Sequence, residues 1–294
     1  MFQPYGIIPA LVTPVDKNEE LNEVALRRLV NFVIQGGVHG VFATGSQGEF
    51  WAFTAEEKRR IWEVVKEETA GRVPVYVGTA GLTTQEAIAL TRDAELVGVD
   101  AVSILTPFFI SPNQGELYEH FAAIAEATTL PIILYTNPGR TGVPLTPDTV
   151  SRLAQIPNIV GIKDSSGDLS LTAEYIRVTP ETFSVLMGRD TLIFGGLVYG
   201  TKGSIAATGN VVPALVASIY DRFIAGDLNG AKEAQEALAP LRLAFSWGTF
   251  PVVIKEALNL MGLDAGPARR PVGPMPDEKR EQLASVLRAM GALS

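Results

Sequence analysis

The chain has 294 residues, 47% hydrophobic and 19% charged, enough for one large α/β domain or two smaller ones around a sizeable core. Its formal net charge of −8 argues against nucleic acid as a partner, because such a footprint needs clustered Lys and Arg. The absence of cysteine excludes disulfides and thiolate chemistry, and only His39 and His120 are present to serve a zinc site or a Ser-His-Asp triad.

In chain order, short β-rich runs occur at 7–12, 40–43, 73–77, 101–105, 131–135, 159–163, 183–187 and 203–206. Between them lie segments with helical period. Residues 22–35 carry Val24, Leu26, Leu29, Val30 and Val33 on a repeating stripe. Residues 54–69 open Thr54-Ala55-Glu56-Glu57, a capping box, and continue with Ile61, Val64 and Val65. The segments 83–97, 114–127, 146–154, 170–178 and 190–199 repeat the pattern. Strands that alternate with helices imply parallel pairing. The expected fold is a (β/α)8 TIM barrel over residues 1–210. A doubly wound open sheet is disfavoured, since no glycine-rich dinucleotide or P-loop fingerprint follows the first strand, which ends Val12-Thr13-Pro14. After Thr208 the strand signals stop, and 211–225, 228–246, 251–261 and 277–290 read as helices. Residues 211–294 are therefore expected to form a helical appendix packed on the barrel. No apolar run reaches the length of a membrane span, about 18 residues. The start Met-Phe-Gln-Pro-Tyr-Gly lacks the features of a signal peptide. A cytoplasmic protein with no membrane partner is the expectation.

A barrel carries its active site where the strands end at their C-termini. Three strand ends are rich in polar groups: Thr44-Gly45-Ser46-Gln47-Gly48-Glu49, Tyr135-Thr136-Asn137-Pro138-Gly139-Arg140-Thr141-Gly142, and Lys163 at the end of strand six. A lysine in a dry, apolar surround has a lowered pKa, so its neutral amine can attack a carbonyl. The competing reading is that Lys163 snorkels or pairs with Asp164. Lys202 precedes a strand and belongs at the opposite rim, while lysines such as Lys58 and Lys66 sit in charged helical stretches. Tyr135 is either a core aromatic or a proton donor and acceptor beside an imine. The Gly45-Ser46-Gln47-Gly48 loop suits a small carboxylate, although such loops are commonly plain turns. Arg140 has the geometry to fork onto a second carboxylate, and equally that of a surface ion-pair residue. His39 precedes a strand and reads as structural; His120 reads as a surface or packing residue on a helix. Neither has metal-ligand company, so no metal and no cofactor are expected.

These motifs resemble the dihydrodipicolinate synthase / N-acetylneuraminate lyase family of class I, pyruvate-handling aldolases. The resemblance rests on Gly45-Ser46-x-Gly48-Glu49, Tyr135-x-x-Pro138-x-Arg140-Thr141-Gly142 and Gly161-Ile162-Lys163-Asp164 in this order and spacing, and covers nearly the whole chain. It implies a homotetramer of barrels acting on a small 2-oxo acid. It implies Lys163 as the imine lysine, Tyr135 as proton relay, and Gly45, Ser46, Gln47, Arg140 and Ile205 as substrate-binding residues. Two departures stand out. Dihydrodipicolinate synthases typically carry two tyrosines after strand four, the second reaching a neighbouring subunit's site; here the stretch is Thr106-Pro107-Phe108-Phe109. The two-threonine element after strand two is replaced by Ser46-Gln47, and an amide is a poor proton shuttle. The resemblance thus implies an imine on Lys163 and a substrate that is pyruvate or a hydroxylated 2-oxo acid. Dihydrodipicolinate synthesis, acid-sugar dehydration and non-catalytic 2-oxo acid binding are the alternatives.

Overall fold

The structure, a computed structural model, describes residues 2–293. Eight parallel strands form the sheet: β1 (Gly6–Pro9), β2 (Val41–Ala43), β3 (Val75–Gly78), β4 (Ala101–Leu105), β5 (Ile132–Thr136), β6 (Ile159–Asp164), β7 (Ser184–Met187) and β8 (Gly203–Ala206). Successive strands are neighbours and β1 pairs with β8. The ring closes between β1 and β2 through the bridge Ala10–Phe42 and the Leu11 N–H, which donates to Phe42 O at 2.8 Å. This is the expected (β/α)8 barrel. The first strand is shorter than the apolar run 7–12. Ala10 N still donates to Ala206 O of β8, but Leu11 N turns to Phe42 O and Val12 N to Asn210 Oδ1 at the rim.

A helix follows each strand, from Glu23–Gln35 after β1 to Pro213–Ile224 after β8. The capping box read at Thr54 is present: its hydroxyl accepts from Glu57 N at 3.2 Å, and its own N–H donates to the Glu57 carboxylate at 2.8 Å. Inside the ring each strand contributes an inward side chain, including Ile8, Phe42, Tyr76, Ile133, Leu186 and Ile205. The barrel centre is thus a packed core that seals the lower side of any site built above it. A larger apolar layer lies between strands and helices, with Trp62, Leu117 and Phe121 fully buried.

The expected boundary after residue 210 falls between β8 and the helix Pro213–Ile224. That helix sets Val216 and Ile219 against Ile7 and Leu197 of the barrel. The helices Leu228–Ala244, Val252–Leu260 and Asp277–Ala289 follow. Among the described residues no single helix is long and apolar enough to cross a membrane.

Two lysines besides Lys163 are buried. Lys58, grouped by sequence with Lys66 in a charged helical stretch, is turned inward, its Nζ 5.9 Å from the Phe50 ring centroid, and burial pushes its pKa down. Lys66 does reach a partner at the surface, Asp100, at 3.0 Å. Lys255 is fully buried and ion-paired with the equally buried Glu49 at 2.6 Å. Lys255 Nζ also donates to Pro267 O at 2.7 Å, and Arg269 N donates to the Glu49 carboxylate at 2.8 Å. The Arg269 guanidinium forks onto Glu57, donates to Ala52 O and stacks 3.9 Å over Phe53. This network ties the loop after β2 to the C-terminal segment.

Removing one member of a buried ion pair leaves the other charge without compensation, at a cost of about 3–5 kcal/mol. Lys255→Met is therefore expected to lower stability by about that much in chemical denaturation. The double variant Glu49→Gln/Lys255→Met is expected to recover part of the loss. A single variant as stable as the parent would show that the pair holds nothing in place.

Candidate active site

The C-terminal ends of the strands open into a cavity of about 830 Å³. Lys163, Tyr135, Ser46, Gln47, Arg140 and Ile205 all line it. Strand geometry brings the first two together. Tyr135 on β5 is the register partner of Lys163 on β6, and both side chains point into the barrel. Each is 4% exposed. Lys163 Nζ lies 4.2 Å from the Tyr135 ring centroid and 5.4 Å from that of Phe42. Successive side chains on a strand face opposite ways. Asp164 therefore points away from the cavity, where it accepts from Ser166 N and the Thr172 hydroxyl. Among the described residues no carboxylate pairs with Lys163, so the reading that it serves an Asp164 ion pair does not hold.

The Tyr135 hydroxyl sits in a small network. Ser46 Oγ lies 3.4 Å away, and Asn137 Nδ2 donates to it at 3.1 Å. Burial pushes the hydroxyl's pKa up, but the Lys163 charge, the hydrogen bonds with Ser46 and Asn137 and the nearby Ser165 hydroxyl outweigh it and bring the value down to about 8. A group with a pKa near the working pH can both give and take a proton. Asn137 and Ser165 were not legible as site residues. Each is an ordinary polar residue beside a motif position, and only the fold turns it toward the hydroxyl.

The loop after β2 is shaped by an unusual backbone. Thr44 has φ 49° and Glu49 φ 54°, left-handed conformations that a β-branched residue adopts rarely. Thr44 is held there by its hydroxyl, which donates to Gly78 O at 3.2 Å and accepts from Trp62 Nε1 at 2.6 Å. Gly45 is not on the cavity wall. A Cβ there would stand 2.4 Å from Phe42 Cε1, so glycine lets the loop cross the Phe42 ring. Ser46 and Gln47 beyond it face the cavity, and the buried Gln47 Oε1 has no hydrogen-bond partner among the described residues.

Arg140 lies on the short helix Pro138–Thr141 after β5, at the mouth, its guanidinium 4.0 Å from the Phe250 ring centroid. Ile205 is buried at the end of β8 and floors the cavity. The C-terminal segment supplies wall residues that sequence reading did not assign, among them Arg242 on the helix Leu228–Ala244 and Phe250 in the turn after it. Phe108 lines the mouth, edge-on to Phe50 at 5.7 Å, whereas Phe109 is 94% exposed and outside the cavity. The histidines lie elsewhere. His39 accepts from Ile7 N and meets Asp221 at 3.1 Å, a structural role as expected. His120 is buried against Phe121 and Thr84, which makes it a packing residue rather than a surface one. Lys202 precedes β8, at the far rim from Lys163.

A buried amine without a carboxylate partner, a hydroxyl of lowered pKa beside it and a polar loop opposite form an arrangement suited to carbonyl chemistry. Comparison with known proteins agrees. The sequence model of the Dihydrodipicolinate synthetase family matches residues 3–290. A 4-hydroxy-tetrahydrodipicolinate synthase from Methanopyrus kandleri is 40% identical over 294 residues, spanning 99% of this chain and 98% of its own. The chloride-inhibited dihydrodipicolinate synthase from Acinetobacter baumannii, solved with pyruvate, superposes with TM-score 0.95 at 36% identity, covering 98% of this chain and 99% of its own. A structure described as the first monomeric dihydrodipicolinate synthase variant gives TM-score 0.96 at 33% identity, with 98% and 97% covered. The cavity, the strand register and these likenesses lead to one conclusion: the chain belongs to the dihydrodipicolinate synthetase family of aldolase-type lyases.

Proposed function

We propose that this enzyme is a Schiff-base-forming aldolase that acts on pyruvate or on a longer hydroxylated 2-oxo acid through Lys163. The observation that carries the reading is the register pairing of Lys163 with Tyr135 inside the cavity. The Lys163 amine attacks C2 of the 2-oxo acid and gives a carbinolamine. Tyr135 donates a proton to the departing hydroxyl, which leaves as water, and a protonated imine remains. In the cleavage direction the 4-hydroxyl gives its proton to the Tyr135 phenolate. The C3–C4 bond then breaks, its electron pair moves into the imine to form an enamine, and an aldehyde leaves. Condensation is the reverse. The Ser46–Gln47 loop supports this reading as the seat of the 2-oxo acid carboxylate, and Ile205 as an apolar floor under the methyl carbon.

A second reading, condensation of pyruvate with aspartate semialdehyde, is favoured by the name of the Methanopyrus kandleri relative. Against it stands Phe109, which has no hydroxyl to offer. The network around Tyr135 instead uses Ser46 and Asn137 of the same chain. In a panel of condensations and cleavages, turnover of a hydroxylated 2-oxo acid is expected to exceed condensation with aspartate semialdehyde. The opposite ranking would establish the second reading. A homotetramer in the cytoplasm is also proposed, supported by the exposed apolar Phe109 and Ile110 beside the mouth.

Borohydride with pyruvate is expected to leave one reduced adduct on Lys163, located by peptide mass mapping, and turnover is expected to survive EDTA. An adduct on Lys202 or Lys255, or none, would remove the imine. Tyr135→Phe keeps the ring and removes the proton donor, so turnover is expected to fall about 10²–10⁴-fold with pyruvate binding little changed. The acid role of Tyr135 requires its protonated form. Activity should therefore decline as pH rises through about 8, the value of its hydroxyl. Asn137→Leu removes an N–H that favours the phenolate, so the alkaline limb of kcat/KM is expected to move to higher pH. An unmoved limb would assign that limb to another group.

A further inference from the structure

The cavity wall carries three guanidinium groups for which imine chemistry has no use: Arg140, Arg189 and Arg242. The arginine–carboxylate pairs among the described residues all lie elsewhere in the chain. The one acid on the wall, Asp190, is already engaged. Its carboxylate accepts from Ala207 N at 3.3 Å, Thr208 N at 2.7 Å and the Thr208 hydroxyl at 2.6 Å. A chain of net charge −8 thus lines its active-site cavity with a lysine and three arginines against a single, spent carboxylate. Such a cavity concentrates anions.

Arg189 is placed with some care. It follows β7, and its Nε donates to Ser165 O at 2.9 Å. That bond fixes the side-chain arm and leaves both terminal nitrogens without a protein acceptor among the described residues. The arm carries Nη2 to residue 139, 3.9 Å from where a Cβ on Gly139 would stand, an ordinary contact distance. Arg140 is the next residue, and its guanidinium is held at the same mouth by the Phe250 ring. Two like charges brought together at the mouth repel, and a bound anion relieves that repulsion. The volume, about 830 Å³, falls within the usual range for small-molecule sites, about 300–1,000 Å³, and leaves space beyond a three-carbon acid.

We propose that Arg189 acts with Arg140 as a specificity pair for a terminal oxoanion, a carboxylate or a phosphate, at the end of the substrate remote from Lys163. This deepens the Schiff-base reading and rests on it for the orientation of the 2-oxo end. The pair selects 2-oxo acids with two anionic ends over acid sugars whose far end is neutral. Arg242, from the helix Leu228–Ala244, adds a further positive charge to the wall.

The test compares ligands that differ only at the far end. Calorimetry would measure 2-oxoglutarate against 2-oxopentanoate and 2-oxoadipate against 2-oxohexanoate for the carboxylate arm. A 2-oxo-3-deoxygluconate pair, with and without the 6-phosphate, serves the phosphate arm. The parent is expected to bind the dianionic member of at least one pair about ten-fold tighter or more, the scale of a charge-assisted fork. Arg189→Gln is expected to remove most of that ratio. Arg189→Lys, which keeps the charge and loses the fork, is expected to restore only part. The arm that shows discrimination names the oxoanion. Equal binding of both members in all pairs by the parent, or a ratio unaltered in Arg189→Gln and Arg189→Lys, would overturn the proposal. Borohydride trapping on the parent is run beside it. Absence of the Lys163 adduct would sink the imine, while the calorimetric ratio still decides the role of Arg189.

Discussion

A reactive amine inside a protein must be kept dry and kept away from carboxylates, and the alternation of a β-strand achieves both in two residues. On β6, Lys163 faces the barrel interior and Asp164 faces the helical layer, where Ser166 and Thr172 satisfy it. A one-residue slip of that strand would exchange them, placing a carboxylate in the cavity and an ammonium against the helices. The strand cannot slip, because both neighbours pin it. Lys163 pairs in register with Tyr135 on one side and Leu186 on the other, and the layer beneath is packed solid. The rest of the site follows from that register. Tyr135 arrives beside the amine because β5 is parallel to β6, and Ser46 arrives because the loop after β2 ends at the same rim.

Most of the barrel could be read from the sequence because its elements obey local rules. Buried parallel strands appear as short apolar runs, and the Thr54–Glu57 capping box needs only its own four residues. Lys163 and Tyr135 were legible for a related reason. A polar residue ending an apolar strand is conspicuous, and the motif spacing supported it. What escaped were residues whose role depends on a distant partner. Asn137 and Ser165 look ordinary until β5 and β6 set them around one hydroxyl. Lys255 carried a usable signal. It stands three residues from both Val252 and Leu258, on an apolar helical stripe where a lone lysine requires a counter-charge. The sequence does not announce that the counter-charge is Glu49, some two hundred residues earlier.

The same contrast separates the two kinds of buried lysine. Lys255 meets a carboxylate and a carbonyl, which hold its charge in place for structure. Lys163 meets aromatic faces, which contact an ammonium without offering a carboxylate. Lys58 lies between these cases, beside Phe50 and with only the distant Glu86 charge to oppose its burial. Burial alone therefore does not identify a reactive lysine. The nearest atoms separate the two kinds: a carboxylate and a carbonyl at Lys255, aromatic rings at Lys163.

The tie between Glu49, Lys255 and Arg269 also bears on how the protein is made. Lys163 and Tyr135 leave the ribosome before Lys255 and Arg269 do. The barrel strands can pair as soon as β8 appears. The loop that carries Ser46 and Gln47 is different, because its anchors sit at residues 255 and 269, beyond every barrel strand. During that interval the nascent chain holds a potentially nucleophilic amine opposite a wall that has not been fastened. Completion of the last helices converts an open cup into a site of defined shape. The Lys163 amine and the Ser46–Gln47 loop thus reach their final relation only after the segment through Arg269 has docked.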